Sequence, residues 1–106
     1  MIYNKLVRDR IPEIIEKSGK QPIYRVLDGE ELKKALKAKL VEETQELVNA
    51  ETKEQMIEEM ADVLAVLNAM RKVFGIEYAD VQTMRHCKAI DKGAFFNGIY
   101  LEEVKE

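Results

Sequence analysis

Leucines recur at positions 32, 36, 40 and 47, spacings of four and seven that draw one apolar stripe along a helix. The stripe's missing member is Glu43, an acid where the pattern calls for another leucine. The start of this helix is marked by Asp28-Gly29-Glu30-Glu31, an N-cap acid followed three residues later by Glu. Thr52-Lys53-Glu54-Gln55 reads as a capping box that opens the next helix. Asn49 to Glu51 is then a tight connection, and the two helices form an antiparallel hairpin. The second helix is apolar nearly all round through Met60, Ala61, Val63, Leu64, Ala65, Val66, Leu67, Ala69 and Met70, the pattern of a buried helix. Gly75 ends it. Ile76 to Asp91 predicts a further helix with Tyr78, Val81 and Met84 inward and Gly93 at its end.

Before the hairpin, Met1 to Val7 has no helical period, whereas Arg8 to Lys17 places Ile11, Ile14 and Ile15 at helical spacing, with Pro12 in the first turn and Gly19 as C-terminal cap. Gln21 to Leu27 alternates like a short strand, and Gly98-Ile99-Tyr100-Leu101 reads as a second one able to pair with it. The expected class is mainly α, built on the antiparallel hairpin, with short extended terminal segments. There are no repeats and no low-complexity tract.

At 106 residues the chain has apolar content for one core, so one domain spanning 1–106 is expected. A single cysteine, Cys87, excludes an internal disulfide and fits a reducing compartment, which points to the cytoplasm. The N-terminus opens with polar and charged residues, unlike a secretory leader, and no apolar run approaches the roughly 20 residues of a membrane span. A net charge of −3 argues against a nucleic-acid polymer as partner. Small anionic ligands remain open if a metal or a local basic patch receives them.

The acids fall into two clusters, Glu42-Glu43-x-x-Glu46 and Glu58-Glu59-x-x-Asp62. Within each, carboxylates three and four apart are like-charge neighbours, each pair costing about 0.2–0.5 kcal/mol even at a surface. Counted from the turn, Glu43 and Glu59 stand at nearly the same height on facing helices, while Glu46 lies one turn nearer the loop and Asp62 one turn farther away. A carboxylate set without histidine selects a hard divalent ion, Mg2+ or Mn2+, rather than zinc. The competing reading is a solvated charged hairpin in which Lys39 pairs with Glu43 and Arg71 or Lys72 serves the other side. The phase of Glu43 and Glu59 counts against it.

Arg85, Lys88 and Lys92 lie on one face of the last helix and could hold phosphate oxygens, though a solvated basic face has the same composition. Asn4, Lys5, Arg8 and Arg10 form another small basic group, taken by itself as ordinary surface and caps. His86 and Cys87 read as packing or surface residues.

At these positions the chain resembles the MazG-like family of all-α nucleoside triphosphate pyrophosphohydrolases, whose hallmark is Glu-Glu-x-x-Glu followed by Glu-x-x-Asp. The opening Tyr3-Asn4-Lys5-Leu6-Val7-Arg8-Asp9-Arg10-Ile11-Pro12 and the ending from Lys92-Gly93-Ala94-Phe95 to Ile99-Tyr100-Leu101 resemble its phosphoribosyl-ATP pyrophosphohydrolase-like branch. The ending carries Ala94 where the family usually has a second glycine. The resemblance implies Mg-dependent hydrolysis between the α- and β-phosphates of a nucleotide, giving a monophosphate and pyrophosphate. It implies Glu43, Glu46, Glu59 and Asp62 as metal ligands and Glu42 in support, leaving Glu58 a bystander. It further implies that Lys88, Lys92 and Arg85, with Asn97 assisting, hold the leaving pyrophosphate. It also implies a homodimer or dimer of dimers with a four-helix core, the basic N-terminal segment completing a neighbour's site. Two alternatives stay open: phosphoribosyl-ATP hydrolysis in histidine biosynthesis, and a non-catalytic nucleotide-binding helical module that dimerises.

Overall fold

Four helices supply all the regular structure: α1 (Ile11–Lys17), α2 (Gly29–Val48), α3 (Lys53–Val73) and α4 (Tyr78–Lys92). The structure, a computed structural model, describes every residue from Met1 to Glu106. The chain divides into two compact units, Met1–Gly75 and Ile76–Glu106.

In the first unit α1 begins at Ile11 rather than Arg8, because Pro12 sits in its first turn and has no N–H to give the Arg8 carbonyl. Gly19 follows with φ 90°. Asp28 takes the N-cap position of α2 with extended backbone, but its side chain makes no capping bond. The capping box of α3 is complete: Thr52 Oγ1 accepts from the Gln55 N–H at 3.1 Å, and Gln55 Oε1 accepts from the Thr52 N–H at 3.3 Å.

α2 and α3 pack on each other as the expected antiparallel hairpin. Its open end is marked by Phe74, just past α3, whose ring lies 5.2 Å from Lys33 Nζ and 5.5 Å from Lys37 Nζ at the start of α2. Between the helices only Leu36, Val66 and Glu43 are buried, at 4%, 9% and 7% exposure. An acid is thus as enclosed as the core valine. The leucine stripe is confirmed in phase, since Leu32, Leu40 and Leu47 are all part-buried around Leu36.

α3 is less buried than its composition predicts. Val66 is its one buried residue, and Met56, Ile57, Met60, Leu64 and Leu67 form a second apolar stripe that stands exposed. One neighbouring helix can cover only one side of a helix that is apolar all round.

No strand forms at 21–27 or 98–101. Ile23, Tyr24 and Val26 are exposed, as are Ile99, Tyr100 and Leu101, so the alternation meets no surface to cover one face and no partner backbone. In the second unit α4 has no buried residue, and Tyr78, Val81 and Met84 are exposed instead of inward, because the tail after Gly93 contributes no helix or strand to pack on them.

Candidate functional site

Helical phase brings carboxylates of both acidic clusters to the inner faces of the hairpin. Glu43, Glu46 and Glu59 can each offer one oxygen to a common point, these oxygens lying within 4.8 Å of one another. Glu43 is buried, Glu59 part-buried and Glu46 exposed, so the group opens to solvent on the side nearer the loop. A cleft of about 360 Å3, lined by Glu46, Asn49, Ala50, Gln55, Glu58 and Glu59, lies there. Glu58, set aside on sequence grounds, is therefore part of the cleft wall.

Basic side chains answer some of this charge. Lys39 Nζ lies 3.1 Å from Glu43 Oε1 and 3.3 Å from Glu42 Oε1, and Lys5 Nζ lies 3.4 Å from the same Glu42 oxygen. Arg8 Nη2 donates to Asp62 Oδ1 at 2.6 Å. Burial, the largest single influence on Lys39, acts to lower its pKa. Its hydrogen bonds to Glu43 and Glu42, with their charges, together outweigh that, and the net shift is upward. The ammonium is held charged between two carboxylates.

The pairing is incomplete. Oε2 of Glu43 and Oε2 of Glu59 are buried with no hydrogen-bond partner. Orphaned anionic oxygens are costly in a protein interior, and two belonging to one acidic cluster compound the cost by repulsion. With Glu58 of the cleft wall counted, six acids, Glu42, Glu43, Glu46, Glu58, Glu59 and Asp62, face three cations, Lys5, Arg8 and Lys39, which leaves a net negative charge. A hard divalent cation matches both the oxygen donors and that residual charge. The Lys39–Glu43 pair of the solvated-hairpin reading does exist, yet it satisfies only one Glu43 oxygen. On the other side Arg71 Nη2 donates to Asn68 Oδ1 at 2.6 Å.

Asp62 is not among the three converging carboxylates. Its place one turn along α3 from Glu59 is as expected, but its side chain is engaged by Arg8. Taken by themselves Lys5 and Arg8 read as ordinary surface and caps, and the family resemblance implies that their segment completes a neighbour's site; neither reading specifies the ion pairs with Glu42 and Asp62. Both reach acids of their own chain.

The second unit holds the remaining residues singled out. On α4, Arg85 Nε donates to Gln82 Oε1 at 2.9 Å, and Gln82 Nε2 donates to Tyr78 Oη at 2.7 Å. Arg85, Lys88 and Lys92 are exposed along the helix, and Asn97 is exposed in the tail.

A family model described as phosphoribosyl-ATP pyrophosphohydrolase matches residues 4–86, which take in both acidic clusters and the basic N-terminal segment. A protein of Mycolicibacterium smegmatis (strain ATCC 700084 / mc(2)155), described as uncharacterized, is 50% identical over 54 residues, 51% of this chain and 55% of that protein. The chain thus spans about half the length of that relative. No solved structure matches the chain significantly.

Proposed function

The chain belongs to the phosphoribosyl-ATP pyrophosphohydrolase family, and on that premise we propose that it hydrolyses a nucleotide between its α- and β-phosphates, using Mg2+ held on the helical hairpin. The observation that carries this reading is the pair of orphaned oxygens, Glu43 Oε2 and Glu59 Oε2, beside Glu46. Glu43, Glu46 and Glu59 hold the cation, with Asp62 as fourth carboxylate and Mn2+ as an acceptable substitute. Bound there, a divalent ion supplies Lewis acidity toward water and the phosphate oxygens.

The chain's own groups do the rest. Lys39 fixes the Glu43 carboxylate, and with Lys5 it neutralises Glu42, so that the outer acids do not repel an anionic substrate. In the reaction the oxygen of a water bonds to the α-phosphorus, the bond from that phosphorus to the bridging oxygen breaks so that this oxygen leaves with pyrophosphate, and one of the water's protons passes to a carboxylate of the cluster while the other stays on the new monophosphate oxygen. Lys88, Lys92 and Arg85, with Asn97, receive the leaving pyrophosphate. The whole chain 1–106 acts as one catalytic domain of a cytoplasmic protein. The exposed stripe of Met56, Ile57, Met60, Leu64 and Leu67 supports a homodimer, or a dimer of dimers, in which paired hairpins form a four-helix core.

Nucleotide-pool clearing is the role proposed. The match to the family model over residues 4–86 also favours a second substrate, phosphoribosyl-ATP itself. Purified protein with Mg2+ and a panel of nucleoside triphosphates plus phosphoribosyl-ATP, assayed for pyrophosphate, separates the readings. Turnover of a triphosphate that disappears in Glu59→Gln is the expected result, and turnover confined to phosphoribosyl-ATP moves the assignment to histidine biosynthesis. Cation binding without turnover of any member leaves a nucleotide-binding helical module and sinks the enzyme.

A further inference from the structure

We propose that Arg8 is a latch on the candidate cation site: its guanidinium holds the Asp62 carboxylate, and a divalent ion must take that carboxylate from it. The inference rests on reading Glu43, Glu46 and Glu59 as the cation site.

Asp62 follows Glu59 by three residues on α3, so the two side chains are neighbours on one helical face. A carboxylate in that position is within reach of an ion seated beside Glu59. Yet Asp62 stays outside the converging group, and the contact that engages it is Arg8 Nη2 at 2.6 Å, from 54 residues earlier in the chain. The neighbouring Lys5 makes a parallel contact with Glu42 across 37 residues. The segment bearing Lys5 and Arg8 therefore lies along the acid-bearing faces of α2 and α3, fastened by ion pairs at two points. Both pairs are part-exposed: the Arg8 side chain is 65% and the Asp62 side chain 36% accessible. Such contacts are weak enough to exchange. An ion at the three carboxylates competes with Arg8 for Asp62, and the arginine it displaces stays beside the site. A free guanidinium is a planar donor fork suited to phosphate oxygens. Cation binding thereby exposes a phosphate ligand, which orders the two events: ion first, polyphosphate second.

The test is calorimetric titration of Mn2+ alone into wild type, Arg8→Gln, Asp62→Asn, the double variant, and Arg10→Gln as a charge-matched control. Arg8→Gln should bind Mn2+ about two- to fivefold more tightly, the scale set by a part-exposed ion pair. The gain should vanish when Asp62 is already Asn, because the competitor's target is gone. Equal or weaker affinity in Arg8→Gln overturns the latch. So does a gain that persists in the Asp62→Asn background or is matched by Arg10→Gln, since either reduces the effect to general charge. Absence of Mn2+ uptake in every protein overturns the cation site and the latch together. Absence of turnover with the expected affinity pattern intact overturns only the proposed reaction.

Discussion

Glu43 on α2 and Glu59 on α3 face each other across the hairpin, and each keeps its Oε2 buried without a hydrogen-bond partner. With Glu46 they bring carboxylate oxygens within 4.8 Å of one another. The hairpin buries only two hydrophobic side chains, so this acidic contact is a strain on a small core. A bound cation relieves repulsion and desolvation together.

Glu59→Gln should therefore raise the metal-free melting temperature while shrinking the upward shift caused by Mg2+. Pyrophosphate release should fall by about 100-fold or more, since even outer-shell changes around a metal cost 10–100-fold. Melting curves with and without Mg2+, beside the pyrophosphate assay, read both effects. A lower metal-free melting temperature with an undiminished Mg2+ shift would remove Glu59 from the site.

Leu36, at 4% exposure, is the most buried apolar residue. Leu36→Ala removes buried methyl groups and leaves a cavity, for an expected loss of about 2–5 kcal/mol. Urea unfolding measures it. A loss below about 1 kcal/mol would place the stabilising contacts elsewhere.

Leu64 lies in the exposed stripe of α3 with 66% of its surface accessible. Leu64→Glu should convert a dimer into a monomer in sedimentation, with Mn2+ affinity nearly unchanged because Glu43, Glu46 and Glu59 come from one chain. A variant that stays dimeric excludes this stripe as the interface.

Glu31 sits opposite Arg25, with bonds of 3.0 and 2.5 Å to its two carboxylate oxygens. Those hydrogen bonds, the largest influence, hold the Glu31 carboxyl below its ordinary range. A carboxyl whose folded-state pKa is depressed adds stability above its unfolded value, near about 4.3, and loses it as pH falls through the folded value. The melting-temperature gap between wild type and Glu31→Gln should be full near neutrality and close as pH falls through and below the ordinary carboxyl range. A gap independent of pH would show that the pair adds no such stability.

Local features were legible in the chain because they depend on neighbours within about four residues. The Thr52–Gln55 capping box, the end of α3 shortly before Gly75 and the inward phase of Glu43 follow from propensity and the 3.6-residue period. The absence of strands at 21–27 and 98–101 has a related reason. Alternation records which residues are apolar, but a strand also needs a partner backbone, and none is supplied to Ile23 or Ile99.

The hairpin and the acids on its inner faces are written into the local order of residues, since period and capping are local. How those acids are answered depends on the three-dimensional course of the chain. The Lys5–Glu42 and Arg8–Asp62 pairs close over 37 and 54 residues, and no local pattern specifies where a returning chain lays its charges. The same return assigns Asp62 to an arginine and leaves Glu43 and Glu59 each with an unpartnered oxygen.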